Sequence, residues 1–421
     1  MGLHIWYCAE SVTQLLEETD FILVSCFFII MNKGLIIREF NAETDSQNVV
    51  KLEKKCAIGS NKNASIFCDT MDDPLCKIRF FSISLMLVAE MAEHGELVGV
   101  VRGYNKEVGF GLTKSHSKMG YILGLRVSPT HRQMGIGNNL MKSIEEWLAR
   151  NGAEYVYVAT EENNVASRNL FTRKCHYNVS VPLQIYVRPV HRSSKKPSWN
   201  INVKKLQVNL AVSLYRKQIK CKDFYPHDME SILRGTPSLG TWVCYYNDED
   251  WEDVPIKDHN TDTTRPRSWV IFSLWNSREV YKLQIQRTNP LHCALYSALS
   301  RAREVIFPCL ELPLVHGSFQ KPFGFLSMYG VFGEGKRLRE LMKAAWNFAT
   351  NSAKDMDCSL VMTEIGDSDP VKKYIPLGRS MSCIKDVWYF KHIDNLGDSK
   401  EEKTLAISGS LGNVLVDPRD F

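Results

Sequence analysis

What this chain lacks narrows its chemistry. No Cys-x-x-Cys pair occurs among its 12 cysteines, and Cys175-His176 and His292-Cys293 are bare adjacent pairs. No zinc-ligand spacing is therefore present. The thiols read as reduced, buried small hydrophobes, which suits a nuclear or cytoplasmic protein. No firm membrane segment is present either: a spanning helix needs roughly 20 apolar residues, and the apolar stretch Phe21–Met31 has 11. It follows no basic segment and precedes no small-residue cleavage site. Trp6 stands where N-myristoylation requires a hydroxyl. Excess charge is missing too. With 52 basic against 47 acidic residues the net charge is +5, which permits acidic partners, and the sequence carries no direct nucleic-acid motif. Asn63-Ala-Ser65 and Asn178-Val-Ser180 spell glycosylation tripeptides that mean nothing without a secretion signal.

What is present centres on residues 121–151. Tyr121–Val127 is an apolar run closed by Ser128-Pro129 and reads as a buried strand. A turn carrying Arg132-x-x-Gly135-x-Gly137 follows. Leu140, Met141, Ile144, Trp147 and Leu148 then recur at helical spacing, and Gly152 supplies a C-cap. A helix start offers unpaired backbone N–H groups and the positive end of the dipole. Glycines let a phosphate approach the main chain, and Arg132 adds a cation there. The spacing predicts an anion site for a phosphate or pyrophosphate.

This strand–turn–helix unit resembles motif A of the GNAT superfamily, whose signature is Arg/Gln-x-x-Gly-x-Gly/Ala. The resemblance implies that Arg132, Gln133, Gly135, Ile136, Gly137 and Asn138 hold the pyrophosphate of acetyl-CoA. It also implies that the strand around Leu125 and Val127 pairs with the pantetheine arm. Asn164-x-x-Ser167-x-x-Leu170-Phe171, running on to Tyr177, resembles motif B. There the resemblance gives Asn164 a bond to pantetheine and puts Phe171 at the cofactor. The position of Phe171 is often tyrosine in that superfamily, where it protonates the departing thiolate. Phenylalanine has no such proton, so Tyr177 or Tyr121 is left as the donor. Glu161, just past the strand Tyr155–Thr160, is the candidate base; its other reading is a surface acid beside Glu162 that caps the next helix.

The expected order of the first half is β-α-β-β-β-α-β-α-β, an α/β mixed sheet with helices on both faces. Its strands are expected at Leu35–Phe40, Leu85–Ala89, Leu97–Arg102, Tyr121–Val127, Tyr155–Thr160 and Pro182–Val187, and its helices at Ser46–Lys55, 138–151 and Asn164–Arg173. The second half repeats the theme with strands near Asn202–Leu206, Thr241–Tyr246, Trp269–Trp275, Tyr281–Gln286, Phe325–Phe332, Leu360–Glu364 and Trp388–His392. Gly333-x-Gly335 lies 198 residues after Gly135-x-Gly137. No cation stands in the place of Arg132, since Gly330 lies 198 residues after it and Val331 follows, and Glu334 sits inside the turn, where a carboxylate repels phosphate. The second half therefore reads as a degenerate GNAT-like domain that binds no CoA. Gly330–Lys336 nearly spells a P-loop, but Arg337 lacks the hydroxyl that magnesium needs. The expected domains are an appendage at 1–31, a GNAT acetyltransferase domain at 32–187, a basic linker at 188–201 and the degenerate domain at 202–421.

Several stretches are more specific: Glu145-Glu146-Trp147, Asn151–Tyr155, Asn169–Thr172, Leu239-Gly240-Thr241, Phe323-Gly324, Met328-Tyr329-Gly330 and Val416–Phe421. With 121–137 they resemble the plant HOOKLESS-type N-acetyltransferases from about Leu35 to Phe421. That resemblance implies acetyl transfer from acetyl-CoA to a protein substrate with a free amine, a lysine with histone among the candidates, in plant growth regulation. The alternative is a non-catalytic acyl-CoA-binding or protein-interaction module, which Phe171 and the degenerate half would both suit.

Overall fold

The computed structural model describes residues 29–31, 34–56, 58–61, 64–111, 115–190, 198–251, 266–287, 321–378, 381–393 and 411–421. The stretch 21–28, most of the appendage, Asn63, linker residues 191–197 and His292-Cys293 lie outside them.

The first half runs β1 (Ile29–Met31), β2 (Leu35–Glu39), α1 (Ala42–Lys55), β3 (Ile58–Asn61), β4 (Ala64–Asp69), β5 (Ser84–Met91), β6 (Glu96–Phe110), β7 (Ser115–Val127), α2 (Ile136–Arg150), β8 (Tyr155–Glu161), α3 (Val165–Asn169) and β9 (Val179–Pro189). The second runs β10 (Ile201–Leu206), α4 (Val208–Gln218), β11 (Tyr225–Pro226), α5 (Met229–Arg234), β12 (Ser238–Tyr246), β13 (Trp269–Asn276), β14 (Lys282–Arg287), β15 (Gly324–Glu334), α6 (Leu338–Asp355), β16 (Cys358–Gly366) and β17 (Ser382–His392).

Helix α1 starts four residues before the expected Ser46. Asn41 caps it, its side chain accepting the Glu43 N–H at 2.9 Å. Inside the first turn, Asp45 is buried and held by Arg38 at 2.7 Å. Helix α2 buries Ile136, Leu140, Met141, Ile144 and Leu148 on one stripe, as the spacing predicts.

The halves do not form two successive sheets. They share one sheet of 14 strands, ordered β1-β2-β5-β6-β7-β8-β17-β9-β16-β15-β13-β12-β10, with β11 paired to β6. The closing strands cross over. β17 of the second half lies between β8 and β9, with Trp388 opposite both Ala159 and Val181. β9 in turn runs beside β16, with Ile185 opposite Glu364. Residues 188 and 189 of the expected linker belong to β9.

Two parallel pairs repeat in the two halves: β7 with β8 around α2, and β15 with β16 around α6. Helices α2 and α6 cover one face of the sheet, packing on Val156, Val158 and Tyr389 in the first half and on Phe272, Leu326 and Val361 in the second. Helices α1, α4 and α5 cover the other face together with the terminal segment 411–421, whose Leu411, Val414, Leu415 and Val416 are buried there.

Candidate functional site

Strands β7 and β8 stay paired only from Met119 to Ile122 against Tyr155 to Val158. Beyond that they part. The cause is a bulge: Arg102 faces Leu123 while Val100 faces Arg126, so β7 carries one extra residue. Gly124 takes the left-handed conformation that the bulge requires, at φ 64°. The gap opens at the C-terminal edge of β7, beside the glycine turn.

In that turn Gln133 and Gly135 both have positive φ, 65° and 83°. A methyl added at Gly135 would meet nothing within 4 Å, so this side of the turn is open. Helix α2 begins with no side-chain cap, so its first N–H groups point outward unpaired by any side chain. Arg132, Gln133 and Gly135 are exposed, while Gly137 and Asn138 are half-buried. Leu125 and Val127 reach the same place: a methyl at Gly137 would lie 3.6 Å from Val127, 3.6 Å from Leu170 and 4.0 Å from Leu125. Phe171 is buried in that apolar cluster with Ile136. Asn164 is the N-cap of α3. Its Oδ1 accepts the Ser167 N–H at 3.2 Å, which leaves its amide nitrogen as the outward donor.

The corresponding turn of the second half is filled. Gly335 has φ 106°, and a methyl there would stand 2.1 Å from the Arg267 carbonyl. The gap between β15 and β16 is filled as well. Val414, Leu415, Val416, Pro418 and Phe421 pack into it and leave about 20 Å³, room for one water. One turn is open and the other closed, as Arg132 against Glu334 suggests.

Across the sheet from α2, the β7–β8 gap leads into a cavity of about 260 Å³. Its lining includes Arg102, Tyr121, Leu123, Gly124 and Arg126 from β6 and β7, and Ala159 from β8. The second half contributes Glu364 from β16, Asp386 and Trp388 from β17, and Asp420 and Phe421 from the terminal segment. The Tyr121 ring stacks on Tyr157 at 4.4 Å, and its hydroxyl donates to the Asp420 carbonyl at 3.3 Å. Burial, with Asp420, Asp386 and Glu364 nearby, lifts that phenol well above its ordinary pKa, so it stays protonated.

Asp420 anchors the terminal segment. Its carboxylate accepts from Lys106 at 2.6 Å, Tyr157 at 2.7 Å and Tyr104 at 2.5 Å. Asp417 lies 3.3 Å from the same Lys106. The Arg419 side chain bonds Asp417 and Asp228.

The two acids from the second half are unusual. Asp386 is buried, and burial pushes it up to about 7. Glu364 is half-buried beside Asp386, with Trp388 Nε1 donating to it at 3.1 Å. Burial, then Asp386 and Asp420, raise it well above the ordinary carboxyl range. Two carboxyls held this way share protons rather than both ionising.

The catalytic candidates from sequence fall in different places. Glu161 ends β8 directly opposite Asp386, outside the cavity lining. Tyr177 lies on the α2 side of the sheet, buried, its hydroxyl donating to Glu145 at 2.9 Å. Burial and Glu145 hold its proton firmly. Lys391 reaches the same Glu145 at 2.6 Å. His131 is half-buried beside the turn, its ring against the Thr130 hydroxyl at 2.9 Å. Sequence reasoning does not find Glu364 and Asp386. The signal is present: each is the one carboxyl in an alternating apolar stripe, Leu360-x-Met362-x-Glu364 and Ile384-x-Asp386-x-Trp388-x-Phe390.

Among the described residues no group of three or more His, Cys, Asp and Glu is placed to hold a metal ion, and no helix is long and apolar enough to cross a membrane.

A family model described as the acetyltransferase (GNAT) family matches residues 62–177. Nearly the whole chain is similar to "Probable N-acetyltransferase HLS1-like" of Arabidopsis thaliana: 35% identical over 416 residues, covering 91% of this chain and 98% of the relative. It is also similar to "Acetyl transferase GW6a" of Oryza sativa subsp. japonica, 29% identical over 432 residues, covering 93% and 99%. Among solved structures, Saccharomyces cerevisiae N-myristoyltransferase with bound myristoyl-CoA superposes with a TM-score of 0.51 at 9% identity, covering 89% of each chain. At that identity the likeness shows the fold alone, that of the acyl-CoA N-acyltransferases.

Proposed function

The chain belongs to the HLS1-type N-acetyltransferases, enzymes of the GNAT family that take an acyl-CoA donor, and from that premise we propose that it transfers acetyl from acetyl-CoA to the side-chain amine of a protein lysine. Histone lysines are among the candidate acceptors. The reading places the enzyme in the nucleus or cytoplasm of a plant cell and in growth regulation.

The observation that carries it is the opening between β7 and β8. One side meets an exposed, cationic glycine turn; the other meets a cavity with carboxyl groups at its wall. A thioester threaded through the gap presents its carbonyl to an amine coming from the cavity. In the proposed roles, Arg132, Gln133, Gly135, Ile136, Gly137 and Asn138 cradle the pyrophosphate. The pantetheine arm lies along Leu125 and Val127 between Asn164 and Phe171. Glu161 sits at the acidic end of β8. Tyr121, protonated and at the gap, is better placed than Tyr177 to give a proton to the departing sulfur.

The test is incubation of the full chain with acetyl-CoA and core histones, with acetyl-lysine mapped by mass spectrometry and free CoA measured together. Acetyl-lysine in step with CoA release is the expected result. CoA release with acetyl groups on other residue types contradicts the lysine assignment. A chain that binds acetyl-CoA and acetylates no protein would instead be the non-catalytic module.

A further inference from the structure

The glycine turn of the second half is packed against Arg267 and Ser268, yet this half sends two strands to the wall of the first half's cavity. We propose that Glu364 on β16 and Asp386 on β17 together receive the ammonium of a lysine-type acceptor and take its proton, so that the acceptor side of the active site is built by the half that binds no CoA. This rests on the acetyltransferase reading above.

The crossing of the closing strands puts β17 next to β8 and lets β16 reach the same wall through β9. Trp388 Nε1 donates to Glu364 Oε1 at 3.1 Å, and Glu364 and Asp386 stand close enough to titrate together. The pair has no lysine or arginine partner among the described residues, unlike the other acids of this region. Glu53 is held by Arg102 at 2.8 Å, and Asp420 by Lys106 at 2.6 Å. A carboxyl pair at the cavity wall, Asp386 buried and Glu364 half-buried, without a counter-cation is suited to a cation that arrives with the substrate.

A second observation points to a ligand. Arg102 is 4 % exposed and lines the same cavity. Its Nε donates to the Pro74 carbonyl at 2.7 Å and its Nη1 to Glu53, while Nη2 has no partner among the described residues. An unpaired buried guanidinium nitrogen calls for an acceptor oxygen. A peptide carbonyl of the substrate supplies one, while its side-chain ammonium goes to the carboxyl pair.

The proton balance closes without a further reactant. With one proton between them, the two carboxyls carry a single negative charge. They accept a proton from the ammonium and become neutral. The freed lone pair attacks the thioester carbon, the C–N bond forms, and the C–S bond breaks with its electron pair leaving on sulfur. The second nitrogen proton ends on that sulfur, with Tyr121 as the relay at the gap. The carboxyl pair returns its proton to solvent.

The experiment uses full-length wild type, Asp386→Asn and Glu364→Gln, with Nα-acetyl-lysine amide as acceptor, CoA release as the rate and acetyl-CoA affinity measured separately. Asp386→Asn should lower kcat by about 10²–10⁴-fold, the usual contribution of a general base, with acetyl-CoA affinity unchanged. The wild-type rate should rise with pH through about 7, and the variant should lose that rise. The groups facing the pair are Glu161 on β8, Asp420 in the terminal segment and Tyr121 on β7, with Glu53, Lys77, Arg102 and Arg126 lining the same cavity. Wild-type kcat in both variants overturns the inference. So does a wild type that binds acetyl-CoA and leaves the lysine probe untouched. A wild type that fails to bind acetyl-CoA overturns the acetyltransferase reading as well.

Discussion

Replacing Asp386 by asparagine should make the folded protein more stable above neutral pH. In the fold this carboxyl rises from its ordinary 3.8 to about 7, chiefly because it is buried. In the unfolded chain it ionises near its ordinary value. Between about pH 4 and pH 7 the folded state therefore holds a proton that the unfolded state has lost, and stability falls as pH rises through that window. Above 7 both forms are ionised and the cost is complete. At about 1.4 kcal/mol per pH unit it reaches about 4 kcal/mol. Glu364 titrates with Asp386 and takes a share, so about 2–4 kcal/mol is the expected gain for the variant at pH 8, shrinking towards zero near pH 4. Urea unfolding of the two proteins at pH 4.5 and pH 8 reads this directly. At about 2 °C per kcal/mol for a larger domain, Tm should differ by about 4–8 °C at pH 8. A variant no more stable than wild type at pH 8, or a gap that does not change with pH, refutes the argument. The expected pattern is a variant that gains stability and loses turnover, as when an active-site group is held in an unfavourable state for its chemistry.

Further consequences follow from the same contacts. Lys106→Met leaves Asp420 buried without its cation and should cost about 3–5 kcal/mol in urea unfolding; adding Asp420→Asn should recover part of that loss, and strict additivity of the two changes would argue against the pair. Gly335→Ala forces a methyl to 2.1 Å from the Arg267 carbonyl, so it should lower Tm while leaving acetyl-CoA affinity per folded molecule intact. Gly135→Ala meets no atom within 4 Å, so its stability loss should be only about 1 kcal/mol from the positive φ; equal losses at the two glycines would contradict the contrast between the open and filled turns.

The local parts of this architecture are legible in the sequence. Tyr121–Val127, the glycine turn and the apolar stripe of α2 all depend on neighbours within a few residues, and the structure has the turn and the stripe where the spacing puts them, with β7 ending at Val127 as expected but beginning at Ser115. The start of α1 is not: the expected helix begins at Ser46, whereas Asn41 is its cap. The crossing of β9 and β17 has no local signature at all. Strand partners are chosen by the whole sheet, and period-2 alternation says which face a residue takes but not which strand lies beside it. The acceptor wall goes unread for that reason. Glu161 looks like the acid nearest the gap because it ends β8, whereas Asp386, opposite it in register, comes from 225 residues away in sequence. Tyr177 sits in motif B, yet its hydroxyl is committed to Glu145 behind the sheet.

The central claim is that one glycine turn of two holds the acyl-CoA. A thermal-shift titration with acetyl-CoA, run on wild type and Arg132→Glu, tests it most directly. Arg132 is exposed in the turn, so the substitution reverses charge at the anion site with little effect on folding. At 100 times its dissociation constant acetyl-CoA should stabilise wild type by about 2.7 kcal/mol, a rise of several degrees, and should leave Arg132→Glu where it was. An equal rise in both proteins would place the cofactor elsewhere, and no rise in wild type would contradict the account.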